Sequence, residues 1–501
     1  MQCCCLRGLV AWTVLAVAGC ATIPSDRGES DVRDQLTGRG VQWNDVADVD
    51  RAALVSELLA EPLRVDAAVR VAFINNPLLQ LEYARLGLSG ADVIQAGRLD
   101  NPTLSAAWQT SSRSSDANRY DFGLTQNFAQ LLLLNARTRF SKGEFERAKL
   151  DSTQRLLDLA ARVQSAYYDA VGATQIAQMR ATVAVAATAS AELAARFKAA
   201  GNINALALAI EQTAASEATL EHERAAAHAT GAAIVLNELM GLDADSHRAL
   251  LSALPMPVAA EDPLDGLQQL AIHQRADLDS DRRAVVLLED ALGVARSYRY
   301  LGDVEVGAHY ERDTDRNRLI GPSLSLQLPI FNQGQAAVLR AESLLDAARA
   351  QARAKEIEVA NGVKAANNRV LAARRRVDRL ANETIPLREQ IVARTQEQAN
   401  YMLVGVFDLL RAKQDEYGTY QQYLEAVRDY WHARVDLAHA VGSRLPSDDT
   451  IGAATVVPQV PVEPVTGTVD HSKHLAVPKH DAVPAPAPIL PTPPDHDHHG
   501  E

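Results

Sequence analysis

The chain has 501 residues, a formal net charge of -13 and 23% charged residues. The negative charge is spread along the chain, and no basic patch indicates a nucleic-acid partner. A chain of this length would ordinarily fold into two or three domains, but the repeats described below favour one duplicated body.

The N-terminal residues have the pattern of a bacterial lipoprotein signal. Arg7 supplies a positive start, and the short apolar run Leu9–Val17 follows it. This run is far shorter than the ~20 apolar residues of a membrane-spanning helix. Small residues precede Cys20, so we expect cleavage after residue 19 and lipidation of Cys20. The alternative is an ordinary signal peptide with a chance cysteine. Ala21 favours the outer membrane over retention at the inner membrane.

The two halves of the chain carry the same order of features, which indicates a duplication. Each half has a helix, two strands, a long helical stretch, a break and a second helix. The breaks follow an aromatic-x3-Gly pattern at Phe197–Gly201 and Tyr401–Gly405, and the second helices end at Gly241 and Gly442. The predicted segments are a signal peptide at 1–19, a lipidated segment at 20–62, a first repeat at 63–242, a second repeat at 264–445 and a tail at 446–501.

The predicted strands form two hairpins, Thr103–Phe128 and Asp303–Ile330. Leu324, Leu326 and Leu328 alternate with polar residues, as a strand with one apolar face requires. From residue 20 onward no stretch approaches a spanning helix, so a crossing of the bilayer would need strands closed into a barrel. Four strands are too few to close one, and the sequence therefore predicts an oligomer.

The predicted helices are unusually long. Leu133 to Ala200 would be ~100 Å as one helix at 1.5 Å per residue, and Gln335 to Met402 is equally long. Apolar residues of the second stretch recur every seven positions and, offset by three, in a second series, which indicates a coiled coil. The first series is Val363, Val370, Val377 and Ile391, with Thr384 filling the gap, and the second is Ala366, Ala373, Leu380 and Leu387. Pro386 should bend the helix locally.

Together these features resemble the TolC-like outer-membrane efflux factors over roughly Leu63 to Leu445. The most specific matches are Leu328–Gly334 and Tyr401–Leu410. The first resembles the family's turn from strand into helix, which assigns Pro329 and Gly334 to a barrel-to-helix swivel. The second resembles the family's periplasmic helix–turn–helix tip.

The resemblance implies a mostly α fold with a small β-barrel part. Long coiled-coil helices would form a periplasmic tunnel, and four strands from each of three chains would form a twelve-stranded barrel. It also implies passive passage of substrate, a periplasmic adaptor and an inner-membrane pump, most typically of the resistance-nodulation-division type. The expected tip and gate residues are Gly201, Gly405, Asp408 and Arg411.

Two points at the tip stay open. Asp408 matches a position where the family places gating acids, but an acid in the first helical turn also stabilises the helix N-terminus. Arg411 stands where the family can place another Asp. Gly201 and Gly405 are expected to permit the turns at low steric cost.

The tail Pro446–Glu501 holds eleven of the 21 prolines and six of the thirteen histidines. Such a segment is expected to be disordered. Imidazole and carboxylate together suit Cu(II), Zn or Ni, which predicts loose binding of divalent metal by the tail and, as cargo, heavy-metal cations such as copper. The alternative is a solubilising tail with incidental histidines. The candidate metal ligands are His471, His474, His496, His498 and His499.

Three other interpretations compete. The chain has no Gly-rich phosphate loop, no Gly-x-Ser-x-Gly elbow and no His-Glu-x-x-His, so we predict no enzyme and no cofactor. A periplasmic coiled-coil scaffold lipoprotein would explain the heptads but not the paired alternating strands. Multidrug export is the alternative to metal export within the same class of protein.

Overall fold

The computed structural model describes residues 23–41, 51–110, 117–246, 249–315 and 317–453. Within these ranges the order helix, helix, strand, strand, long helix, helix occurs twice. The first set is α3 (Val65–Asn75), α4 (Pro77–Ala96), β1 (Thr103–Gln109), β2 (Arg119–Asn127), α5 (Ala129–Ala199) and α6 (Ala205–Leu239). Two further helices precede it, α1 (Glu29–Gly38) and α2 (Arg51–Ala60).

The second set repeats this order with one interruption. Its elements are α7 (Leu264–Gln274), α8 (Ala276–Ser297), β3 (Val304–Arg312), β4 (Arg318–Leu326), α9 (Gln335–Arg379), α10 (Ile385–Asn400) and α11 (Val406–Val441). A π-helical turn, Leu380–Thr384, joins α9 to α10, and a 3-10 helix, Pro446–Ala453, follows α11.

The four strands form one antiparallel sheet in the order β1-β2-β3-β4. The predicted hairpins are therefore confirmed, and the structure adds that β2 pairs with β3 across the two halves of the chain. All four links to helices leave the same end of the sheet, at Thr103, Asn127, Val304 and Leu326. The two hairpin loops lie at the opposite end.

The first long helix is continuous, whereas the second changes its winding. α5 has 71 residues, about 107 Å at 1.5 Å per residue. In the second half the heptad series is buried at Val363, Val370 and Val377, but the next buried positions are Leu380 and Ile385, and Thr384 and Ile391 are not buried. Pro386 cannot donate a backbone hydrogen bond, and the wider π turn directly before it absorbs one extra residue and shifts the apolar face.

The largest hydrophobic core lies where short elements pack against α5 and α11. Trp431 stacks on Tyr168 with ring centroids 5.1 Å apart. The Trp431 indole N–H donates to the Pro255 carbonyl at 2.8 Å, and the Tyr167 hydroxyl donates to the Leu63 carbonyl at 2.9 Å. Large side chains from the long helices therefore hold the irregular segments before α3 and α7 in place.

A buried ionic network fixes the chain after α11. The Arg434 side chain is only 2% exposed and lies 2.5 Å from the Glu261 carboxylate. It also pairs with the Asp448 carboxylate and donates to the Ser447 hydroxyl. The 3-10 helix after α11 thus packs against the body of the protein, because Asp448 completes the environment of a buried cation.

In the part of the chain that the structure describes, every helix is either too short or too polar to serve as a membrane span.

Candidate functional site

The sheet has one apolar face and one polar face. Residues directly opposite each other on antiparallel strands share a face, so the strand registers assign every side chain. The apolar face carries exposed large side chains, namely Leu104, Trp108, Phe122, Leu124, Val306, Ile320, Leu324 and Leu326. The opposite face is mainly polar and carries Thr103, Ser105, Gln109, Arg119, Asp121, Thr125, Asn127, Glu305, His309, Glu311, Ser323 and Ser325. Each face has exceptions: the exposed Leu319 lies on the polar face, and Gln126, Arg312 and Arg318 lie on the apolar face.

The apolar face is widely exposed in the single chain. Trp108 is 75% exposed and Ile320 is 79% exposed, and both belong to this one face. A contiguous exposed apolar patch marks contact with lipid or with another protein. Alternation of apolar and polar positions indicates that one face of the sheet is covered and the other faces water.

Charged side chains pair across the polar face near the hairpin loops. Arg119 lies 2.6 Å from Glu311, and His309 Nδ1 lies 3.4 Å from Asp121. These contacts join β2 to β3, the pairing that links the two halves of the chain. The polar face is therefore organised by an ion pair and a histidine–aspartate contact between strands in addition to the backbone ladder.

The junction from β4 to α9 contains the predicted swivel residues, Pro329 and Gly334. Gly334 precedes α9 with φ of 75°, a left-handed conformation. A Cβ at this position would lie 2.7 Å from the Arg299 carbonyl oxygen, so a side chain would collide with the backbone. Gly334 is thus required for the close turn from strand to helix, and Pro329 lies five residues before it in the same link.

The two helical hairpin turns lie side by side at the far ends of the long helices. Their neighbourhood is shown by Phe197 and Phe407, whose ring centroids are 6.2 Å apart. Tyr401, Met402 and Leu403 of the second turn are each more than 70% exposed. The sequence-predicted tip residues are therefore brought together, and they present an exposed apolar tip.

The two turns use different residues for the same left-handed step. In the first turn Gly201 has φ of 79°, as expected, but in the second turn Met402 has φ of 59°. Gly405 has φ of -76° and is the N-cap of α11, so the expectation that its backbone freedom permits the turn is wrong. The structural counterpart of Gly405 is Asn204, the N-cap of α6, whose side chain accepts a hydrogen bond from the Ala207 N–H at 2.8 Å.

Asp408 performs a capping function in the structure. Its Oδ2 accepts a hydrogen bond of 3.0 Å from the Gly405 N–H, which satisfies a donor at the start of α11. Arg411 lies on the exposed surface one turn further along the same helix.

Two histidine–aspartate pairs that the sequence did not predict join α11 to α5. His439 Nε2 lies 2.7 Å from Asp158 Oδ1, and His432 Nε2 lies 3.0 Å from Asp169 Oδ1. Burial raises the pKa of each aspartate, but the hydrogen bond from its histidine and the nearby positive charges outweigh this, so both pKa values lie below the usual range. No sequence spacing could have shown these contacts, because the partners are more than 260 positions apart.

Several candidate residues lie outside the described part of the chain. These are the predicted lipidation site Cys20 and the tail histidines His471, His474, His496, His498 and His499. Within the described residues, no group of three or more His, Cys, Asp or Glu side chains is placed to hold a metal ion.

Comparison with known proteins points to one family. Residues 267–443 match the family of outer membrane efflux proteins. No curated protein sequence matches the chain.

Solved structures share the fold at low sequence identity. A membrane protein from Pseudomonas aeruginosa is similar with a TM-score of 0.64 and 17% identity, over 77% of this chain and 95% of that one. The outer-membrane channel OprN is similar with a TM-score of 0.63 and 16% identity, over 82% of this chain and 96% of that one. The outer membrane protein VceC from Vibrio cholerae is similar with a TM-score of 0.61 and 16% identity, over 76% of this chain and 96% of that one.

Proposed function

We propose that this chain, which has the fold of TolC-like outer-membrane channels and matches the outer membrane efflux protein family over residues 267–443, is the exit duct of a tripartite efflux pump. It conducts substrate passively from the periplasm to the outside, and the energy is supplied by an inner-membrane pump. The observation that carries this proposal is the two-faced sheet at one end of two long helical hairpins.

The sheet supports closure by copies of the same chain. β1 and β4 are its outer strands, and among the described residues neither pairs with a further strand. Unpaired backbone groups are costly in lipid, so each outer strand needs a partner. Three copies supply twelve strands, with the apolar face toward lipid and the polar face toward the lumen.

The described N-terminal segment supports a lipid anchor at the same membrane. Ile23 approaches α4 at Gly90, where a Cβ would lie 2.8 Å from Ile23 Cδ1. Asp31 of α1 pairs with Lys149 of α5 at 2.6 Å. Cys20 is only three positions before Ile23, so in this proposal a lipid on Cys20 would be attached close to the helical body and would add to the attachment by the sheet.

The exposed tip supports docking of a periplasmic adaptor. Tyr401, Met402 and Leu403 form an exposed apolar surface next to Asp408 and Arg411. An adaptor that covers this surface could hold the tips apart and seal the passage. In this proposal Asp408 serves both as the helix cap seen in the structure and as an acidic residue of the entrance.

For the cargo we propose heavy-metal cations such as copper, because the tail combines six histidines with carboxylates. Export of organic drugs is the second candidate.

The duct is tested in the outer-membrane fraction of cells that make the full chain. We expect a heat-sensitive trimer that stays in the membrane after the lipid anchor is removed and that forms ion-conducting channels in planar bilayers. A soluble protein released by loss of the anchor would instead indicate a scaffold. Deletion followed by growth in copper, zinc and cobalt tests the cargo, and unchanged tolerance with a gain in dye sensitivity would favour drug export.

A further inference from the structure

Exposed apolar side chains continue from the apolar face of the sheet into the links between strands and helices. The Phe128 N–H donates to the Val304 carbonyl at 2.7 Å, so Phe128 extends β2 by one residue and falls on the apolar face. Leu328 follows Leu326 by two positions and continues the alternation of β4. We call this exposed surface the junction belt, and its members are Leu99, Phe128, Tyr300, Leu328, Ile330 and Phe331.

Two arginines stand beside the junction belt at equivalent positions of the two halves of the chain. Arg98 precedes β1 and Arg299 precedes β3. They are 201 positions apart, the same offset that separates Gly241 from Gly442. Within the residues that the structure describes, neither guanidinium has a carboxylate at salt-bridge distance. The belt is therefore bordered by two cations whose charge no carboxylate neutralises at close range.

Arg299 is held against the junction belt. Its Nε donates to the carbonyl of Gln333, two residues after Phe331, at 3.3 Å. Its guanidinium carbon lies 4.7 Å from the centre of the Tyr300 ring, within the range of a cation–π contact. Its two terminal nitrogens make no hydrogen bond to the described residues. The side chain is thus positioned by a ring and a backbone carbonyl, and it keeps donors for an external acceptor.

The junction belt lies at the end of the sheet from which all four links to helices leave. In the proposed duct, on which this inference rests, the bilayer ends at this level and the helices begin. Aromatic side chains at such a level place their rings among the acyl chains and their polar groups among the headgroups. Because the belt continues the apolar face of the sheet without a boundary, lipid fits it better than a separate protein partner.

We propose that the junction belt is a binding surface for anionic phospholipid on the periplasmic side of the bilayer. Acyl chains pack on Leu328, Ile330 and Phe331. The phosphate of the headgroup accepts hydrogen bonds from Arg299 and, in the first half of the chain, from Arg98. A guanidinium suits this task because its paired N–H donors match two phosphate oxygens. The surface therefore binds phosphatidylglycerol, which has a net negative charge, more tightly than zwitterionic phosphatidylcholine.

The test is fluorescence polarisation of labelled phosphatidylglycerol and phosphatidylcholine, with equal acyl chains, on the detergent-solubilised full-length protein. Arg299→Gln should weaken binding of phosphatidylglycerol about fivefold, as expected for one cation lost at an anionic lipid surface. Adding Arg98→Gln should bring the loss to about twentyfold. Both variants should bind phosphatidylcholine as wild type does. Arg299→Lys keeps the charge and should bind nearly as wild type, whereas Phe331→Ser should weaken both lipids alike.

The matched control is Arg353→Gln on α9. Arg353 is also exposed and has no carboxylate partner among the described residues, but it lies about 27 Å along α9 from the first residue of that helix. Arg353→Gln should bind both lipids as wild type does. Equal losses for Arg353→Gln and Arg299→Gln would overturn the proposal, because net charge alone would then explain the binding. Displacement of phosphatidylglycerol by an excess of inorganic phosphate would overturn it as well, since it would indicate a site for free anions.

Trimer yield and channel conductance, measured on the same preparations, separate the lipid surface from the duct. Trimers that conduct ions, but prefer phosphatidylglycerol equally with and without Arg98 and Arg299, contradict the lipid surface alone. Protein that never conducts, but loses this preference in the double variant, contradicts the duct and supports the lipid surface. Loss of the trimer in the double variant, with an unchanged lipid preference, would assign both arginines to the contact between copies and overturn the proposal.

Discussion

His439 Nε2 and Asp158 Oδ1, 281 positions apart in the chain, lie 2.7 Å from each other and connect α11 to α5. The pKa of Asp158 is lowered: burial raises it, but hydrogen bonds from His439 and Gln154 more than offset the effect of burial. A carboxylate whose pKa is depressed in the folded state stabilises the fold above its unfolded pKa of about 3.9 and loses this contribution as the pH falls through the folded value.

The first prediction concerns Asp158→Asn. At pH 6 the substitution should lower the free energy of unfolding by about 0.5 kcal/mol, a value limited by the partial exposure of the pair. Below about pH 4 the difference from wild type should shrink, since the wild-type carboxylate also becomes neutral. Thermal unfolding of the detergent-solubilised protein between pH 3 and pH 7 measures this, and a difference that grows toward low pH would contradict the assigned sign.

The second prediction concerns the left-handed residue of the second hairpin turn. Met402→Gly should stabilise this turn by about 1 kcal/mol, because glycine adopts positive φ without the steric cost borne by methionine. Gly201→Ala should destabilise the first turn by a similar amount. Hydrogen exchange of the turn amides reports both effects. Gly405→Ala is the control, since Gly405 has a negative φ, and a larger effect there than at Gly201 would refute the assignment.

The third prediction separates the two roles of Asp408. Asp408→Ala removes the acceptor for the Gly405 N–H and should make the first turn of α11 exchange hydrogen about fivefold faster, as expected for the loss of about 1 kcal/mol. Asp408→Asn keeps an acceptor oxygen and should exchange nearly as wild type. If the proposed entrance charge also acts, both variants should lose cation selectivity in planar bilayers. Unchanged selectivity in both would leave the cap as the sole role.

The fourth prediction concerns the 3-10 helix that follows α11. A chain that stops after Ala453 should assemble as wild type, whereas one that stops after Leu445 loses Ser447 and Asp448, two partners of the buried Arg434 guanidinium. Breaking a buried ion pair costs about 3 kcal/mol or more, so the shorter chain should unfold at a lower temperature and yield less trimer. Identical melting of the two truncated proteins would show that the contacts of Asp448 contribute nothing.

The arrangement of elements could be predicted because it depends on local patterns. Leu324, Leu326 and Leu328 alternate as a strand does, and the heptad from Val363 to Val377 follows the buried face of α9. The seven-residue repeat no longer predicts the buried positions where the π turn before Pro386 adds one residue to a helical turn. Sequence spacing continued the series to Thr384, whereas the structure buries Ile385.

The tip shows a second limit. The shared aromatic-x3-Gly pattern aligned Gly201 with Gly405, but the left-handed backbone conformation aligns Gly201 with Met402. The offset between Gly201 and Met402 is 201 positions, the same offset that separates Gly241 from Gly442. A methionine at positive φ carries no sequence signal, because the conformation is unfavourable for it. The cap at Asn204 could have been found, since asparagine directly before an apolar helix is a preferred N-cap.

The two open strands have a consequence for how the protein is made. In the proposed duct, a copy that has not yet met its sister chains would display two rows of unsatisfied backbone amide and carbonyl groups beside an exposed apolar surface that includes Trp108 and Ile320. Such a molecule is prone to stick edge to edge with any other strand. We therefore expect the pool of unassembled copies in the periplasm to be small and bound by chaperones. Overproduction of the chain should yield aggregates before it yields more pores.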